Sequence, residues 1–145
     1  MRSSASFSFF ALVLSGVSIV AASASEPTPP ASISPADLQF FETKIRPVLS
    51  DQCYRCHSDQ ADKLRGGLHL DSRTGTLEGG ESGPAVVPGA PDQSLLIEAI
   101  RYGNPDLRMP PKGNKLSDEI IADFVEWIRR GAPDPRKAAA LAAAP

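Results

Sequence analysis

Apolar residues recur at helical spacing in three stretches of the 145-residue chain, and at no fixed spacing between them. In the first stretch Leu38, Phe41, Ile45, Val48 and Leu49 share a face, behind Ser34 as N-cap and Pro35 at the first helical position. Pro47 has no N–H to give to the Thr43 carbonyl, so the pattern predicts a helix that kinks there or restarts as a short turn leading to Cys53. A second helix carries Leu95, Leu96, Ala99 and Ile100, with Asp92 as its cap and Gly103 as its left-handed C′ residue. The third is the most strongly marked. Leu116 and Ile121 bracket the cap Ser117 as a hydrophobic staple, Asp118 and Glu119 lie at the positive end of the dipole, and Arg129, Arg130 and Gly131 close the helix.

The apolar residues of that last helix, Ile120, Ile121, Phe124, Val125, Trp127 and Ile128, cover more than half of its circumference. It must therefore pack on two sides, or against a large apolar object such as a cofactor. Phe41 shares a face with Ile45 and Val48 while Phe124, Trp127 and Ile128 need burial, which predicts that the first and last helices cross.

Residues 58–91 have no helical period. Gly66-Gly67, Gly75, Gly79-Gly80, Gly83-Pro84 and Pro88-Gly89 repeat turn chemistry, so this stretch predicts a loop with at most one short strand pair. Leu68 and Leu70 alternate with His69 and Asp71, and Ala85-Val86-Val87 could pair with them, turning the leucines inward and His69 outward. A phosphate-binding loop is excluded, because no Gly-Lys-Ser/Thr ending joins a strand to a helix. The fold class expected is mostly α, with a long Gly/Pro-rich loop that carries at most a short β-hairpin.

The ends differ from the middle. In residues 1–24 Arg2 is the sole charge, an apolar stretch runs from Phe7 to Ala22, and Ala22-Ser23-Ala24 forms an A-x-A cleavage site, the pattern of a secretory signal peptide. Ser8, Ser15 and Ser18 interrupt the apolar stretch and no basic stop-transfer flank follows, which favours cleavage over a retained anchor. Export to the periplasm or beyond is the expected destination, with membrane attachment only through a partner or an uncleaved signal. Residues 25–33 read as a disordered Pro- and Ser-rich linker, 34–135 as the domain, and 136–145 as a disordered Ala-rich tail whose one anchor is Leu141.

Composition narrows the function. One small domain excludes a large multidomain enzyme, and loss of Arg2 with the signal lowers the formal net charge from −2 to −3, against a nucleic-acid partner. All 14 prolines and 10 of the 11 glycines follow residue 24, so the core is small and benefits from a staple. No Ser/His/Asp set and no supported carboxylate pair is present, so the expectation is no side-chain catalysis and no small organic substrate.

The staple is written in Cys53-Tyr54-Arg55-Cys56-His57. In C-x-x-C-H, two thiols one helical turn apart can add to the two vinyl groups of a haem while the adjacent imidazole turns onto the iron. Three other readings compete. A disulfide would close almost no loop, a thioredoxin-like dithiol wants a βαβ context, and a zinc site from Cys53, Cys56, His57 and His69 would use the last available ligand. For the sixth position on iron the chain after residue 24 offers one methionine, Met109, and one further histidine, His69. Met109 is favoured, because its loop is restrained by Pro110 and Pro111 and precedes the final helix, whereas His69 alternates away from the inward leucines.

From Phe40 to about Pro135 the chain resembles the planctomycete-type cytochrome c domain, itself similar to class I c-type cytochromes. The resemblance rests on Ile45-Arg46-Pro47-Val48-Leu49 before the motif, Gly66-Gly67-Leu68-x-Leu70-Asp71, the run Gly79 to Gly89, and Met109-Pro110-Pro111 before the last helix. It implies one covalent haem c on Cys53 and Cys56, His57 as proximal and Met109 as distal iron ligand, and a mostly helical fold around the haem. The function expected is a monohaem electron carrier working with redox partner proteins, among them a larger separately encoded enzyme. The alternatives are a haem-containing interaction or sensor module docking on such a partner, and a ligand-binding or peroxidatic haem enzyme.

Overall fold

A computed structural model describes residues 33–111 and 115–136. The expected signal peptide, all of the linker except Ile33, and the tail beyond Arg136 lie outside these residues. The chain enters through α1 (Pro35–Phe40), where Ser34 caps as its sequence predicts, its Oγ accepting from the Asp37 N–H at 3.1 Å. The run then continues through a π-helical turn at Phe41–Ile45, α2 (Arg46–Val48), and a second π turn at Leu49–Cys53. In the first π turn the Arg46 N–H reaches back five residues to the Phe41 carbonyl. That widens the register one residue ahead of Pro47, which has no N–H to offer, and the helical run goes on to Cys53 without a restart.

The remaining elements are α3 (Arg73–Glu78), a 3₁₀ turn at Pro91–Gln93, α4 (Leu95–Arg101) and α5 (Asp118–Arg129). The fold is helical, as the pattern of the sequence implies, and no strand occurs among the described residues. The expected pairing of Leu68–Leu70 with Ala85–Val87 is absent because other groups take the backbone bonds it needs. Leu70 N–H donates to the His57 carbonyl at 2.8 Å, Val87 N–H donates to Ser94 Oγ at 2.9 Å, and the Ala85 carbonyl accepts from Leu96 N–H at 2.9 Å. What is left of a hairpin is a single bridge between Gly80 and Gly83. Gly79 turns the chain into it at φ +81°, and a Cβ there would fall 1.9 Å from the Gly83 carbonyl oxygen. The leucines nonetheless face inward, Leu70 being fully buried and Leu68 half-buried.

Two further differences concern helix ends. Helix α3 forms where no helix is expected, started by Ser72, whose Oγ accepts from Gly75 N–H at 3.0 Å. Helix α4 begins after Ser94 rather than from Asp92, and its left-handed end is Tyr102 at φ 62°, one residue before the glycine predicted for that role.

Helix α5 buries Ile121, Phe124, Trp127 and Ile128 and packs on two sides, against the first helical run and α4. Phe41 meets Trp127 with ring centroids 5.8 Å apart, and Phe124 lies edge-on to Trp127 at 6.1 Å. The Trp127 indole N–H donates to the Pro133 carbonyl at 2.9 Å, so its one polar atom is satisfied in the core. At the rim Lys44 pairs with Asp123 at 3.5 Å, and Arg130 pairs with Asp37 at 3.4 Å and stacks over Phe40. Of the five residues expected on the buried face of the first run, Phe41, Ile45 and Leu49 are fully buried, Val48 is half-buried, and Leu38 is exposed. No described helix is long and apolar enough to cross a membrane.

This packing sets a contrast between two residues of the helical pattern. Trp127→Ala removes the centre of the aromatic contact and is expected to cost about 3–5 kcal/mol, whereas Leu38→Ala is expected to stay within about 0.5 kcal/mol. Urea denaturation of the two variants checks this, and equal midpoints would contradict the packing.

Candidate functional site

The C-x-x-C-H motif forms the turn that ends the first helical run. Tyr54 N–H closes the second π turn on the Leu49 carbonyl at 3.0 Å, and Cys56 N–H and His57 N–H both donate to the Cys53 carbonyl at 3.0 Å. The following loop then returns to the motif's own carbonyls, Arg65 N–H reaching Cys56 O at 3.0 Å and Leu70 N–H reaching His57 O. The turn is therefore held by bonds within itself and by the loop that follows it, and its Cys53, Cys56 and His57 side chains line a cavity.

That cavity has an empty volume of about 1050 Å³, part of it open to solvent. Cys53, Cys56 and His57 line it together with Met109, so all four residues singled out in the sequence share one site. Leu68 and Leu70 of the loop, Leu96, Ala99 and Ile100 of α4, and Leu116 supply a mostly apolar wall. Helix α5 contributes no residue of its own to the lining, so its wide apolar face is explained by helix packing and not by contact with a cofactor.

The two thiols are unpaired. Burial, reinforced by the neighbouring Cys56, pushes the Cys53 thiol up to about 12, so it stays protonated at neutral pH. His57 is shifted the other way. Its Nδ1 is buried without a hydrogen-bond partner. Burial lowers its pKa; the backbone at Leu68 and Arg65 pulls upward without reversing the shift or making a hydrogen bond to Nδ1. The ring is thereby held in the neutral form that a metal ligand requires.

Met109 reaches the cavity from the segment after α4. Its N–H donates to the Ala99 carbonyl at 3.1 Å, fixing the loop to the end of that helix. His69 is not part of the lining. Its Nδ1 lies 2.8 Å from Asp59 Oδ1 and 3.9 Å from Asp71 Oδ1, outside the cavity, as the alternation of the leucines implies. Among the described residues the one cluster with metal-ligand proximity is Asp59, His69 and Asp71, and neither cysteine belongs to it. The zinc arrangement of Cys53, Cys56, His57 and His69 is therefore not assembled.

One part of the site leaves no pattern in the sequence. Arg136, assigned with the Ala-rich tail, is buried and bonds through Nε to Asp134 at 2.9 Å and through its terminal nitrogens to Tyr54 Oη at 2.8 Å, Thr76 Oγ1 at 3.3 Å and the Leu70 carbonyl. Its guanidinium also lies 5.1 Å from the Phe41 ring centroid. Burial alone would lower its pKa, but Asp134 and Tyr54 outweigh burial and raise it. The arginine thus ties the exit from α5 to a residue inside the C-x-x-C-H turn.

Residues 53–113 match the family model of Planctomycete cytochrome C, the family that the sequence resembles. No curated protein and no solved structure gives a significant match.

Arg136→Met leaves the Asp134 carboxylate buried and unpaired, with an expected loss of about 3–5 kcal/mol; pairing it with Asp134→Leu is expected to restore most of that. Urea denaturation followed by far-ultraviolet circular dichroism reads both values. A single variant as stable as the parent would show that the clasp carries no weight.

Proposed function

We propose that this c-type cytochrome domain, whose family implies haem, is an exported monohaem electron carrier with His57 and Met109 as its axial ligands. The observation that carries the reading is the convergence of Cys53, Cys56, His57 and Met109 on one mostly apolar cavity. The fit of residues to group rests on three features. Two thiols sit one turn apart beside a neutral, half-buried imidazole with a buried, orphaned Nδ1, the wall is apolar enough for a flat macrocycle, and a thioether lines the same space.

When bound, haem c supplies one-electron exchange between ferric and ferrous iron. The protein does the rest. Cys53 and Cys56 would hold the macrocycle covalently, so the carrier keeps its cofactor through many redox cycles. His57 would donate to iron, and burial keeps it from protonating away. Met109, a soft thioether on a restrained loop, would fill the sixth position, favour the ferrous state and keep exogenous ligands out. The apolar wall would exclude water and raise the potential further. The leader in residues 1–24 would direct the chain out of the cytoplasm, and its donor and acceptor would be redox proteins.

Two outcomes test this reading. Acid–acetone extraction is expected to leave the colour on the polypeptide, and colour passing into the organic phase would refute covalent attachment. Met109→Ala is expected to lower the reduction potential, abolish the red charge-transfer band of ferric methionine-ligated haem and admit carbon monoxide readily, while His69→Ala leaves all three nearly unchanged. The opposite pattern would make the protein a bis-histidine cytochrome.

A further inference from the structure

Tyr102 ends α4 in the left-handed conformation, at φ 62° and ψ 19°. A residue with a Cβ pays for that conformation, which glycine or asparagine adopts at lower cost, and Gly103 stands next in the chain. The backbone at 102 is thus held in a costly state around a particular side chain, which points to what that side chain touches.

It touches both neighbours of Met109. The Tyr102 hydroxyl donates to the Pro110 carbonyl at 2.5 Å, and the Arg108 guanidinium lies over the Tyr102 ring, 5.9 Å from its centroid. Met109 itself is fixed between them, its N–H on the Ala99 carbonyl, which also accepts the Tyr102 N–H at 3.3 Å. One carbonyl and one aromatic side chain, both at the C-terminal end of α4, therefore restrain residues 108, 109 and 110 together.

We infer that Tyr102 is a positioning residue that clamps the Met109 loop onto α4 and so sets how readily the Met109 thioether leaves iron. The inference rests on Met109 as the sixth ligand. The left-handed turn aims the ring back across the loop, the hydroxyl restrains the residue after Met109, and the ring face restrains the residue before it. Without the clamp the Met109 N–H bond, the prolines and the bonds of Asn104 to Asp106 and Leu107 remain, but residues 108 and 110 lose their tie to α4 and the thioether dissociates more often.

The test uses the intact holoprotein with Tyr102→Phe, which keeps the ring and loses the hydroxyl, and Tyr102→Asn, which relieves the left-handed strain and loses both contacts. Carbon monoxide binding to the ferrous protein reads methionine dissociation, the red ferric band reads ligation, and far-ultraviolet thermal melting reads the fold. Tyr102→Phe is expected to bind carbon monoxide several-fold to about tenfold faster, the scale of one lost hydrogen bond, and Tyr102→Asn faster still. Both variants should lose the red band at lower temperature than the parent, well before the helices melt. Unchanged carbon monoxide rates in both variants, with or without a lower melting temperature, would overturn the clamp while leaving Met109 ligation intact. A parent protein that lacks the red band, or in which Met109→Ala leaves it in place, would overturn the ligand assignment and the clamp with it.

Discussion

Arg136 buries a guanidinium with 5% of its side chain exposed and holds, at once, Asp134, Tyr54, Thr76 and the Leu70 carbonyl. These partners come from the exit of α5, the C-x-x-C-H turn, the loop after it, and α3. A buried charge has to be paired on nearly all of its donors, so the four segments cannot separate without stranding it. The turn that presents Cys53, Cys56 and His57 is therefore fixed through Tyr54, and the wall residue Leu70 is held by the same guanidinium.

The aromatic contact of Phe41 with Trp127 supplies the frame for that clasp. It joins the first helical run to α5, and Arg136 lies against the same Phe41 ring. The π turn that carries Phe41 and Ile45 has a clear purpose in this setting. It lets a run containing Pro47 continue to Cys53 with Phe41, Ile45 and Leu49 all in the core. Helix α4 then works on two fronts, packing on α5 while its Ala99 carbonyl and Tyr102 side chain govern the segment around Met109. Core packing and the candidate iron ligands are thus joined through the Arg136 guanidinium on one side and the Ala99 carbonyl with the Tyr102 hydroxyl on the other.

Much of this is legible in the residues. Ser117 with Asp118 and Glu119 marks the start of α5, the spacing of Phe41, Ile45 and Leu49 marks the core face of the first run, and C-x-x-C-H with a lone later methionine marks the site. Local rules fail where a distant group takes over a local bond. Ala85 and Val87 read as a strand because nothing nearby announces that Leu96 N–H and Ser94 Oγ will claim them. Gly103 reads as the end of α4 because the contacts that hold Tyr102 left-handed lie six to eight residues further on. Arg136 reads as the start of a tail because its partners are as much as 82 residues away. Leu38 shows the reverse case, a position in register with the core face that is nonetheless exposed at the start of the run.

The central claim is that one iron is held between an imidazole at residue 57 and a thioether at residue 109. Iron-edge X-ray absorption of the ferric holoprotein measures that coordination shell directly. The account predicts a single sulfur scatterer with the remaining neighbours nitrogen. A shell of nitrogen alone, whether six neighbours or five, would contradict it.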